Sequence, residues 1–156
     1  MKTLRIGNKD YKIEYSIDAS LCEDCVEKVT NFMLSTANVQ GEDAIKYVIG
    51  TMSNLPNTAL SMFYGGLIAH HGEEGDKTVN SKSDVKELLK QYILEHKEDG
   101  VGNYYDIIGM FIEQMGEEGF FDLIGLTKLV QMTVSKPKKS PQDHKTKQKT
   151  TKTIES

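Results

Sequence analysis

Thr3-Leu-Arg-Ile-Gly-Asn-Lys-Asp-Tyr-Lys-Ile-Glu-Tyr15 fixes how this fold begins. Leu4 and Ile6 alternate with polar neighbours, Gly7-Asn8-Lys9-Asp10 supplies a turn, and Tyr11, Ile13 and Tyr15 alternate again. Two short alternating runs about a Gly/Asn turn predict a β-hairpin. A lone hairpin is marginal in water, so this one must pack on helices or pair with another copy of itself. Its outer edge, if unpaired, would accept a strand from a neighbour or client.

From Ser16 onward the period becomes helical. Leu21, Cys22, Cys25, Val26, Val29, Phe32 and Met33 follow i, i+3, i+4, i+7 spacing, the pattern of one buried helix face. A second helix is predicted from Gly41-Glu42-Asp43, with Ile45, Val48, Ile49 and Met52 as its apolar face, broken at Asn54-Leu-Pro56-Asn57. Asn57 then caps a third, carrying Leu60, Phe63, Tyr64, Leu67 and Ile68. His71 to Ser81 reads as a loop, and Ser83 as the cap of a fourth helix with Val85, Leu88, Leu89, Tyr92 and Ile93. The fifth is strongly apolar, with Tyr104, Ile107, Ile108, Phe111, Ile112 and Met115, and a short helix follows Phe120. The fold class is therefore mainly α with a small N-terminal β-hairpin (α+β), in one helical domain spanning 1–135.

Composition changes at Ser135. Residues 136–156 hold seven Lys against Asp143 and Glu155, with Ile154 as the one apolar side chain. Such a stretch buries too little surface to offset its ordering entropy, which predicts a disordered Lys-rich tail. Residues 1–135 hold 12 Lys/Arg against 21 Asp/Glu. That acidic body would repel phosphates, and the tail lacks arginines and aromatics for reading or stacking bases, so no nucleic-acid partner is expected. No apolar run is long enough to cross a membrane, and the opening residues lack the apolar core of a signal peptide. These features place the chain in the cytosol, with both cysteines reduced.

The chemistry-bearing residues give no positive case for an enzyme. Cys22-Glu-Asp-Cys25 has CxxC spacing, yet it sits on a helical apolar face without the strand–helix context of a redox pair or a second pair for zinc. Two core cysteines are the simpler reading. His70-His71 are adjacent, hence about 100° apart around a helix, and do not make the i, i+4 pair of a zinc helix. The acidic pairs Glu73-Glu74, Glu98-Asp99 and Glu117-Glu118 fall at helix ends or loops and read as solvated. Gly65-Gly66 is no phosphate loop; it implies close helix packing or a kink beside a partner surface. Neither cofactor nor metal is expected. The alternatives are a small metal-binding or redox protein using Cys22, Cys25, His70 and His71, and a helical adaptor unrelated to phage.

Four passages carry a resemblance: the hairpin Thr3 to Tyr15; Ala59-Leu-Ser-Met-Phe-Tyr-Gly-Gly-Leu-Ile-Ala-His-His71; the helix opened by Ser83-Asp84-Val85; and the apolar run Tyr104 to Leu126 before a polar C-terminus. In order and texture they resemble the tail assembly chaperones of long-tailed bacteriophages and prophages of Gram-positive bacteria. The resemblance implies a non-enzymatic factor that coats the tape measure protein, keeps it soluble and helps recruit tail tube protein. It also implies a longer form made by programmed frameshift, for which codons near Lys138-Lys139 would supply the slippery run. Such a factor works in the host cytoplasm and is left out of the mature virion. No catalytic residue carries over. The expected partner-binding residues are Tyr64, Gly65, Gly66, Tyr104, Ile108, Phe111, Ile112 and Met115, with self-association alongside. The methionines at 33, 52, 62, 110, 115 and 132 suit adaptable contacts, although each is also an ordinary core residue.

Overall fold

The computed structural model describes residues 1–37 and 44–134. The expected tail, its boundary at residue 135 and the Gly41 helix start lie outside the described residues.

The hairpin forms as the alternation predicts. Strands β1 (Lys2–Ile6) and β2 (Lys9–Ile13) pair antiparallel, with Lys2 opposite Ile13 and Ile6 opposite Lys9. Gly7 turns the chain at φ +59°, a conformation that a Cβ disfavours. Leu4, Ile6, Ile13 and then Tyr15 point into the core. The hairpin packs on helices. The Gly7 amide donates to the Glu95 carboxylate at 2.9 Å, while the Lys12 and Glu14 amides donate to Nε2 of His71 and the carbonyl of Gly66, each at 2.9 Å. Those two bonds cover the end of the β2 edge that faces α3, so that end does not accept a neighbouring strand.

Seven helices follow among the described residues: α1 (Ile17–Leu21), α2 (Glu23–Ala37), α3 (Ala44–His71), α4 (Lys82–Glu95), α5 (Tyr104–Glu117), α6 (Phe120–Leu123) and α7 (Leu126–Val134). Three differ from the sequence pattern. The first predicted helix is two, because Cys22 is extended and separates α1 from α2; Leu21 is exposed as a result. Glu23 and Asp24 then open α2, where acids suit the helix dipole. The second and third predicted helices are one. Helix α3 runs through Pro56, which is exposed, so water can satisfy the carbonyl left without an amide donor. Asn57 therefore caps nothing. Finally, α4 is capped by Ser81 rather than Ser83: Asp84 reaches back to accept from the amides of Asn80 and Ser81, at 2.8 and 3.1 Å. Asn103 caps α5 as its position suggests, accepting from the Asp106 amide at 3.0 Å.

Helix α3 is the axis of the domain. It touches α1, α2, α4, α5 and β2. Its C-terminal half supplies Leu55, Ala59, Met62, Phe63 and Leu67 to the core. The Phe63 and Phe111 rings stack at 5.4 Å, and Tyr15 lies 5.7 Å from Phe120. The Tyr15 hydroxyl donates to the Met62 carbonyl at 3.0 Å.

Candidate interaction surface

The same α3 stripe that lines the core extends past it. Leu55, Ala59, Met62, Phe63, Gly66 and Leu67 are buried. Counting back by three and four residues from Leu55 gives Met52, Ile49, Val48 and Ile45, which are 59%, 63%, 51% and 72% exposed. Two turns of helix thus carry a core-type face with nothing on it among the described residues. Scattered apolar side chains on a surface need no explanation; a contiguous stripe in phase with the core marks an interaction site. Lys46 is the one Lys, Arg, Asp or Glu between Ala44 and Ala69. On the opposite side of this arm, a cleft of about 820 Å³ separates α3 from α2. Phe32, Leu34 and Tyr47 contribute its apolar lining, and its charged lining residues are Lys28 and Lys46.

The eight residues expected to bind a partner do not form one surface. Ile108, Phe111 and Met115 are enclosed in the core, and Ile112 is half-buried against it. Most of the apolar face of α5 is spent inside the domain, which corrects the expectation that Ile108, Phe111 and Met115 present it to a partner. Gly65 and Gly66 are buried too. A Cβ on Gly65 would meet the Cys25 sulfur at 2.5 Å, and one on Gly66 would meet Cγ2 of Ile13 at 2.5 Å. They permit α2 and β2 to approach α3, the close packing that their sequence position suggests. Tyr64 lines a second cleft with Cys22, Ile68, Asp18 and Glu73, and Tyr104 lies at the exposed start of α5. The methionines divide as well: Met62 and Met115 are core, while Met52 and Met132 are exposed.

The polar residues singled out by the sequence hold the fold together. Nε2 of His71 accepts the Lys12 amide, so the buried ring is neutral and its Nδ1 proton faces Asp76 at 2.9 Å. Asp76 is held well below the usual carboxylate range, first by the Thr78 hydroxyl and also by His71 and Lys9. His70 pairs with Glu14 at 2.6 Å. Glu118 is not solvated as its acidic run suggests. It accepts the Tyr15 amide at 2.7 Å and pairs with the Met1 amino group. Burial raises its pKa, but the hydrogen bonds from that amino group and from Tyr15 outweigh this and lower it. Asp24 joins α2, α3 and α4 by accepting from Ser61 and Lys82; these bonds lower its pKa against the opposing effect of burial.

Cys22, Cys25, His70 and His71 do not assemble a site. Among the described residues no three His, Cys, Asp or Glu side chains converge as a metal would require. Burial pushes the Cys25 thiol up to about 12, far from the low values of reactive cysteines. Native protein treated with iodoacetamide at about pH 8 is therefore expected to be modified at Cys22 and silent at Cys25, both reacting after denaturation. Rapid native modification of Cys25, read by peptide mass, would reinstate the redox reading.

Comparison of the chain with protein-family models, curated proteins and solved structures finds no match. Among the described residues, no helix is long and apolar enough to cross a membrane.

Proposed function

We propose that this chain is a non-enzymatic assembly chaperone of the kind that serves tail construction in long-tailed bacteriophages. It binds the tape measure protein, keeps it soluble and helps bring tail tube subunits to it, the last through a longer frameshifted form. It acts in the host cytoplasm, associates with further copies of itself and is absent from the finished particle. One observation carries the reading: the Ile45, Val48, Ile49 and Met52 stripe, a core-type face left exposed among the described residues. A long helical client with exposed apolar faces needs a receptor of that type. The buried positions of Cys25 and His71 support a binding role over a redox or metal role.

Two forces can drive the complex. Charge pairing with the acidic body is screened within about 10 Å at 0.1 M salt, whereas apolar burial survives salt. The stripe makes the second dominant. Co-expression with the tape measure protein and pull-down at low salt and at about 0.5 M NaCl is expected to retain the complex in both. Loss at high salt would assign binding to the acidic surface. No complex in either buffer, with the client soluble alone, would overturn the reading.

A further inference from the structure

We infer that the cleft between α2 and α3 binds an amphiphilic carboxylate, a small molecule with an apolar body and one anionic head. The inference does not depend on the chaperone reading.

The two helices set the geometry. Asp24 at the start of α2 meets Ser61, while Ser35 near its end shares the cleft with Tyr47 near the start of α3, so the helices run antiparallel. Lys28, about one turn on from Asp24, therefore comes level with Thr58, about one turn back from Ser61. The cleft holds about 820 Å³, within the range of sites for small ligands.

Its inner end is built for an anion. Thr58 lines the cleft and is 5% exposed, yet its hydroxyl makes no hydrogen bond among the described residues. Ser35 and Asn54 beside it return their donors to the carbonyls of Phe32 and Gly50. A buried hydroxyl without a partner costs stability, and a ligand oxygen would supply the partner. Lys28 makes no ion pair among the described residues, because Asp24, the carboxylate one turn before it, is bonded to Lys82 and Ser61. Ammonium and hydroxyl together suit one carboxylate. The charged lining residues are both cations, in a body that is otherwise acidic.

The rest of the cleft is built for an apolar body. Phe32, Leu34, Tyr47 and the bare backbone of Gly50 line it toward Lys46. Thr58 lies roughly 18 Å along α3 from Lys46, so an extended chain has room outside the inner end. Width excludes a helical peptide. A helix is about 10–12 Å across with its side chains, while packed helices such as α2 and α3 lie about 8–10 Å apart. A third helix would rest on the rim and leave Thr58 unreached.

The test is calorimetry of the full chain at low salt with decanoate and with decylammonium. The acidic body favours the cation everywhere except this cleft, so a preference for decanoate is diagnostic. Decanoate is expected to bind roughly tenfold more tightly. Lys28→Met keeps the stem and removes the charge; it should erase the preference with an unchanged melting curve. Thr58→Val should weaken decanoate alone. Ile49→Ser, on the opposite side of the arm, should change neither. Absent decanoate binding, equal binding of the two amphiphiles, or decanoate binding untouched by Lys28→Met would overturn the inference. Loss of binding in Ile49→Ser would overturn it too, by moving the amphiphile to the exposed stripe.

Discussion

Phe111→Ala is expected to cost about 4 kcal/mol, the upper range for an aromatic deletion. The ring is 1% exposed, stacks on Phe63 at 5.4 Å and meets Tyr15 edge-on at 6.3 Å. Its removal opens a cavity between α3, α5 and the strand extension that carries Tyr15, where the neighbouring rings are too rigid to collapse inward. Many domains of this size hold about 5–15 kcal/mol in all, so the loss is a large fraction of the whole. Urea unfolding measures it as a lower midpoint at an unchanged slope. If Phe111 instead served a partner, the isolated chain would barely notice its removal. A change below about 1 kcal/mol would return α5 to the list of binding faces.

Gly66→Val is expected to cost about 3 kcal/mol, through overpacking rather than cavity formation. Its Cβ would lie 2.5 Å from Cγ2 of Ile13 and 3.1 Å from the Tyr15 ring. Neither neighbour can yield, since both are fully buried and the Glu14 amide between them is bonded to the Gly66 carbonyl. Gly109 supplies the control. It sits mid-helix in α5 with nothing within 4 Å of an added Cβ, so Gly109→Ala should stabilise by up to about 1 kcal/mol through helix propensity alone. Thermal melts of the two variants should therefore move in opposite directions. If both rise, Gly66 is a propensity defect and not a contact. Ile13→Ala should recover part of the Gly66→Val loss, because it removes the methyl that the new side chain strikes.

The hairpin and α5 were legible because each repeats a simple period over enough residues to exclude the alternative. What periodicity cannot state is which covered face is covered by what. The α5 residues Ile108, Phe111 and Met115 and the α3 residues Ile45, Val48 and Ile49 carry the same signal, yet among the described residues the first set is enclosed and the second exposed. The difference lies in how far each helix overhangs its neighbours, a tertiary quantity. Pro56 misled for a local reason: proline breaks a helix unless the freed carbonyl faces water, and its exposure decides that. His71 and Glu118 were unreadable because their partners lie 59 and 103 residues away, at Lys12 and Tyr15. Of the two readings of Gly65-Gly66, close packing holds, against α2 and β2, while the partner surface does not, because both glycines are buried.

Helix α3 is one element by its hydrogen bonds and two by its thermodynamics. Amides after Leu55 are enclosed with the core and open only when the domain opens; amides before it belong to a stretch with an exposed apolar face and open at lower cost. Pro56 donates no amide and stands at the joint between these regimes. Opening that stops there leaves the core intact, so the arm can melt and re-form without global unfolding. A helix seated on Ile45, Val48, Ile49 and Met52 would move the boundary of the cooperative unit outward by about two turns. Binding would then be recorded as slowed hydrogen exchange in the arm alone, with a protein of unchanged shape behind it.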